Sequence, residues 1–203
     1  MIKPKAYGII GGIGSGKSVV CRIFSVLGVP VFDSDSQAKK IIQEDPSVKK
    51  DLILLLGEDI YSKQGVYLPG VVREKIQNNP AILEKINAIV HPAVRKKALE
   101  FFQKNQNSPF TLYESALIHA KNKPDFIHGL IAVQTPLPDR IAYLKKRNQW
   151  DDKTVEEWIK KQEPEETYLK EVDFLIDNSK NNFLIKQCLE LYQKIGEISG
   201  KKD

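Results

Sequence analysis

Residues 7–20 read YGIIGGIGSGKSVV, an apolar run that gives way abruptly to glycines, serines and a lysine. Gly11, four further residues, then Gly16, Lys17 and Ser18 fit the phosphate-loop pattern G-x-x-x-x-G-K-[ST]. Ala6–Ile10 before it has the length and composition of a buried strand, and Lys17 to about Leu27 after it has a helical pattern. Glycines at 11, 12, 14 and 16 let backbone N–H groups turn toward a polyphosphate without Cβ obstruction. Lys17 supplies a charge for the β and γ phosphates. Ser18 places a hydroxyl for Mg²⁺ at a helix N-terminus, which itself favours anions. The loop predicts nucleoside triphosphate binding.

A chain of 203 residues suits one α/β domain over 1–203, with room for helical insertions. Its composition, 41% hydrophobic and 28% charged, excludes a disordered chain. No apolar run reaches membrane-spanning length, and MIKPKAYGII lacks the core of a secretory signal, so a cytoplasmic location and no membrane partner are expected. Cys21 and Cys188 lie far apart in helical patterns and read as reduced core thiols. The histidines at 91, 119 and 128 have no metal-ligand spacing. The net charge of +5 comes from lysines and arginines interleaved with acids, which argues against nucleic acid and is compatible with a polyanionic small substrate or with a solvated mixed-charge surface.

Apolar runs rich in Val, Ile and Phe predict five strands at Ala6–Ile10, Val29–Phe32, Phe110–Glu114, Leu130–Thr135 and Phe174–Ile176. Helical patterns between them imply a parallel sheet covered by helices, with ligands beyond the carboxyl ends of the strands. Residues 34–108 read as a helical insertion, with Pro46, Pro69 and Pro80 marking helix starts and a break near His91-Pro92. Residues 140–170 read as a charged helical lid interrupted around Asn148–Asp152, and they hold both tryptophans, Trp150 and Trp158, which are expected to differ in exposure.

The second strand ends in VPVFDSD, which sets Asp33 beside the phosphate loop. A carboxylate there could take the proton of an attacking hydroxyl, or it could order Mg²⁺-bound water. Asp35 or Ser36 reads as the cap of the next helix.

GGIGSGKS followed by LGVPVFDSD resembles the dephospho-coenzyme A kinase family, and INAIVHPAVR, TLYESAL, LKKRN and VDFLIDNS continue the resemblance in order along nearly the whole chain. It implies an α/β P-loop kinase with a five-stranded parallel sheet, a helical acceptor-binding insertion and a small helical lid. The implied reaction moves the γ-phosphoryl of ATP, with Mg²⁺, to the 3′-hydroxyl of dephospho-coenzyme A. The resemblance assigns Gly11, Gly12, Ile13, Gly14, Ser15, Gly16, Lys17 and Ser18, with Val19 at the edge, to ATP. It assigns Ser18 to the metal, Lys17 and Asp33 to catalysis, and Asp33, His91, Arg95 and Glu114 to the acceptor. Arg140 and Arg147 would reach the phosphates and Asn178 the adenine. His91 and Arg95 are four apart and could share a helical face, while His91 could equally be a helix-start residue satisfied by backbone.

Some positions depart from the family pattern. Val19 replaces a threonine, Asn148 an aspartate, and Tyr143 and Trp158 replace arginines, with Arg140 offering partial compensation. YLPG at 67–70 stands where the family has a Leu-Asp-Arg type sequence. The fourth strand ends in Gln134 and Thr135, so no further strand-end acid is expected at the metal, and Ser18, phosphates and water would hold it. Another nucleotide or nucleoside kinase, or a nonenzymatic nucleotide-gated regulator, would share the loop. Monomer and homo-oligomer are both compatible with the sequence.

Overall fold

All five residues of β1, Ala6–Ile10, are buried. A strand covered on both faces belongs inside a parallel sheet. The computed structural model describes residues 5–115, 118, 123–160, 162 and 164–200, and it sets β1 at the centre of the five-stranded order β2-β3-β1-β4-β5. The other strands are β2 (Val31–Asp33), β3 (Thr111–Glu114), β4 (Ile127–Gln134) and β5 (Phe174–Asp177), and every pairing is parallel. The α/β class read from the sequence is the one observed. His119, with Ala116 and Leu117 of the TLYESAL stretch, lies outside the described residues, as does Lys161 of the lid.

Two strand starts differ from expectation for local reasons. The chain leaves the first helix, α1 (Lys17–Val26), through Gly28 at φ +84°, and the Val29 N–H turns back to the Phe24 carbonyl, so β2 begins at Val31 rather than Val29. β4 begins at Ile127, paired with Ala6, because the strand continues through His128 and Gly129, which interrupt the apolar signal; the register shifts there, with Tyr7 paired to Gly129 and His128 skipped.

The chain divides into two compact units, Met1–Asp33 with Phe102–Asp203, and Ser34–Phe101. In the first, α1 and the C-terminal helix pack on one face of the sheet, over a core that includes Tyr7, Ile9, Phe24, Phe110, Leu112, Ile131 and Cys188. Phe110 meets Tyr7 and Phe24 edge to face, with centroids 6.0 and 5.9 Å away. Each such ring contributes about 2–3 kcal/mol by leaving water. The opposite face carries Phe32 stacked on Tyr113 at 5.4 Å, with Phe102 and Phe126 beside them. Phe102 therefore belongs to the sheet unit although the helix bearing it starts in the other.

The second unit is helical: α2 (Ser34–Glu44), α3 (Pro46–Leu56), α4 (Pro69–Asn78) and most of α5 (Ala81–Lys104). Pro46 and Pro69 occupy first helical turns, where no N–H is required, and the Asp45 carboxylate accepts from the Ser47 and Val48 N–H groups at 2.9 and 3.1 Å. The Gln43 amide takes the Tyr67 N–H and donates to the Gly65 carbonyl, both at 2.9 Å, which fixes the turn ahead of Leu68 and Pro69. Two expectations are corrected here. α2 starts at Ser34, directly after the strand, so Asp35 lies in its first turn rather than ahead of it as a cap. α5 runs unbroken through Pro92, so His91 is a helix-interior residue. The bond lost at Pro92 is tolerated because Ile86, Val90, Val94 and Ala98, spaced by four, form a buried stripe on either side of it. Among the described residues no helix is long and apolar enough to cross a membrane.

Candidate active site

The loop from Gly11 to Ser18 joins β1 to α1. Gly16, at φ +90°, forms the left-handed N-cap of α1, and a Cβ there would overlap the Asn178 amide. No side chain caps α1 and its first turn carries no acid, which leaves the positive end of the helix to an external anion. Lys17 Nζ arches over the loop to the carbonyls of Gly11 and Gly12, at 2.6 and 3.2 Å. From below, the Ser15 carbonyl accepts from Thr135 Oγ1 at 2.8 Å and from Asn178 Nδ2 at 3.0 Å, so the ends of β4 and β5 hold the loop in place.

Asp33 and Glu114 are the last residues of β2 and β3 and stand directly opposite each other in register. Alternate strand positions share a face, and Val31 and Leu112, two residues earlier, pack on the core under α1. Both carboxylates therefore point toward α1. Cys21, buried on α1, reports the result: burial pushes its thiol well above the ordinary range, and Glu114, to which it donates a hydrogen bond, and Asp33 push it further, while Lys17 opposes them. Two carboxylates and an ammonium thus lie close enough to Cys21 to act on its thiol.

Glu114 was expected on the acceptor side, with no strand-end acid near the metal. Strand order sets Glu114 beside the phosphate loop. β3 separates β1 from β2, and Glu114 is also in register with Ile9. A cavity of about 540 Å³ brings Glu114 together with Ile13, Gly14, Gly16, Lys17, Ser18 and Val19 of the loop, and with Arg147 and Asn178. Tyr143 and Leu144 complete its wall from α6 (Leu137–Asn148).

Arg140, also on α6, was expected at the phosphates, and its guanidinium is engaged elsewhere. It is buried, donates through Nε to the Ile13 carbonyl at 2.9 Å, and pairs with Glu165 at the start of α8 (Glu165–Tyr168). A Cβ at Gly12 would overlap this guanidinium, so Gly12 makes room for an arginine as well as for a ligand. Arg147 is exposed on the cavity wall, with Nε on Asn148 Oδ1 at 3.1 Å. Trp158 lies on α7 (Asp152–Lys160). It stacks on Trp150 at 5.6 Å and 11° across the turn, and it remains 46% exposed. His91 and Arg95 are exposed one turn apart on α5, in the helical unit.

Thr135, Gln162, Glu165 and Tyr168 support the site without having been singled out from the sequence. Thr135 lies just past a strand end, the position at which ligands gather, but a search for acids there passes over a hydroxyl. Nothing local marks Gln162, Glu165 or Tyr168. Tyr168 is buried near Gly12 and Glu165, and burial first, then the Glu165 charge, pushes its hydroxyl up to about 12.

The donor set suits a hard cation held mainly by substrate. Ser18 and Glu114 offer oxygen, and among the described residues no group of three or more His, Cys, Asp or Glu side chains is placed to hold a metal.

A family model described as dephospho-CoA kinase matches residues 6–183. A dephospho-CoA kinase of Bacteroides fragilis is 30% identical over 200 residues, covering 97% of each chain. One from Porphyromonas gingivalis is 31% identical over 189 residues, covering 93% of each. Among solved structures, a Thermus thermophilus protein matches with a TM-score of 0.81 at 25% identity, over 95% of this chain and 98% of that one.

Proposed function

Because the chain belongs to the dephospho-CoA kinase family and uses ATP to phosphorylate dephospho-coenzyme A to coenzyme A, we propose that the Gly11–Ser18 loop holds the ATP phosphates and that Asp33 receives the proton of the ribose 3′-hydroxyl. The observation that carries this reading is the shared cavity of Lys17, Ser18 and Glu114, with Asp33 in register beside Glu114. Lys17 draws the β and γ oxygens toward the loop and offsets charge as the phosphoryl leaves. Ser18 and Glu114 are the residues that would hold Mg²⁺, which when bound neutralises charge on the β and γ phosphates. Glu114 would then serve the phosphate side of the reaction. Asn178, tied to the loop through Ser15, borders the adenine, and Arg147 approaches the phosphates from the cavity wall.

Residues 140–170 act as the lid over ATP, and residues 34–108, with His91 and Arg95, as the acceptor-binding part. The enzyme works in the cytoplasm, in keeping with two buried unpaired thiols.

The test pairs an acceptor panel with one substitution. ADP release with Mg-ATP should be specific for dephospho-coenzyme A over nucleosides and nucleoside monophosphates. Asp33→Asn should keep nucleotide affinity while turnover falls by about two orders of magnitude or more. Near-normal turnover at saturation with lost ATP binding would make Asp33 a metal-ordering residue instead.

A further inference from the structure

Both polar groups of one loop residue are taken by a single helical excursion. The Ile13 N–H donates to Gln162 Oε1 at 2.7 Å, and the Ile13 carbonyl accepts from Arg140 Nε at 2.9 Å. Arg140 and Gln162 also meet each other, Nη2 to Oε1 at 3.2 Å, although 22 residues separate them. The stretch between them, most of α6 and all of α7, thus begins and ends at the same residue of the phosphate loop. Within that excursion lie Tyr143, Leu144 and Arg147, which form one wall of the cavity. Glu165 completes the arrangement by pairing with the remaining face of the Arg140 guanidinium.

We propose that Gln162 is a positioning residue for nucleotide binding: with Arg140 it clamps Ile13, and so sets the shape of the phosphate loop and the place of the Arg147-bearing wall together. A loop rich in glycine has many backbone states, and an N–H held by a part-buried side-chain oxygen selects one of them before ligand arrives. Gln162 suits the task because one amide oxygen has two lone pairs, taken by one backbone donor and one guanidinium donor. An alanine here would release Ile13 from one side only. A glutamate would keep both acceptor contacts.

This rests on the loop being the ATP site, so Lys17→Ala is the control. With a nonhydrolysable ATP analogue measured by calorimetry, Gln162→Ala should weaken binding about tenfold, the effect of one lost charge-linked hydrogen bond. KM for dephospho-coenzyme A should stay near wild type, the melting temperature should fall by no more than the few degrees that the lost hydrogen bonds cost, and Gln162→Glu should restore most of the affinity. If Lys17→Ala also weakens the analogue but Gln162→Ala does not, the clamp is refuted and the site stands. Equal changes in both KM values with a melting temperature lowered by about 10 °C or more, or no rescue by Gln162→Glu, would also refute it, because a residue that only supports the fold behaves so. Unchanged analogue binding by Lys17→Ala would overturn the site and the clamp with it.

Discussion

The carbonyl of Ser15 has two donors, and this redundancy predicts a non-additive pair of substitutions. Thr135→Val removes the hydroxyl bond of 2.8 Å and Asn178→Ala the amide bond of 3.0 Å. After either change alone the carbonyl keeps a partner, so the cost is that of one net hydrogen bond, about 1 kcal/mol. After both, a carbonyl in a fully buried residue has neither donor, and its desolvation penalty of about 1–3 kcal/mol adds to the two lost bonds. The double variant should then cost about 3–5 kcal/mol against about 2 for the sum. For a chain of this length that is about 3 °C in melting temperature for each single change and about 10 °C or more together. Urea and thermal unfolding by circular dichroism on the four proteins complete the cycle. Additivity within about 0.5 kcal/mol would mean that water reaches the carbonyl and that the loop is not sealed from beneath.

Lys17→Ala should lower turnover with dephospho-coenzyme A about a thousandfold or more while the protein still folds, as activity assays beside thermal melts will tell. Burial first, and then Tyr67, pushes the Tyr61 hydroxyl up to about 12, where Tyr168 also stands. The folded state holds those protons more tightly than the unfolded chain, so stability is intact below pH 10 and falls from pH 10 to 12, by about 1.4 kcal/mol per unit for each group. Urea midpoints across that window should fall less steeply in Tyr61→Phe and Tyr168→Phe; identical slopes would refute the coupling. The stacked indoles of Trp150 and Trp158 should give an exciton couplet in circular dichroism that either Trp→Phe change abolishes. A couplet that survives one substitution would mean the rings do not stack in solution.

The phosphate loop was legible because its signal is contiguous: glycine spacing, one lysine and one hydroxyl between an apolar run and a helical one. Strand ends were legible where composition changes sharply, as at Ile10 and Asp33, and blurred where His128 and Gly129 sit inside β4. Glu114 was found as a residue but not as a neighbour of Ser18. Which strand lies beside β1 is set by pairing between residues about a hundred positions apart, and local pattern does not carry it. The commitment of Arg140 to Ile13 and Glu165 was hidden for the same reason, since an arginine facing a glycine loop reads as a phosphate ligand until its other partners are placed. Pro92 misled in the opposite sense. A local rule against proline in helices lost to a buried stripe on both sides of it.

The central place of β1 in the sheet has a consequence for how the chain is made. Ala6 and Tyr7 pair with Thr111 and Leu112 on one side and with Ile127 and Gly129 on the other. At synthesis rates of about 5–20 residues per second, the innermost strand waits on the order of 5–20 s for either neighbour to emerge. During that wait the helices of residues 34–101, a compact unit of their own, can form first, while an apolar pentapeptide followed by glycines has no ladder to join. Nascent chains arrested before residue 111 therefore expose β1 to aggregation and to chaperones, and release of the strand from that hazard coincides with the arrival of Glu114 beside it.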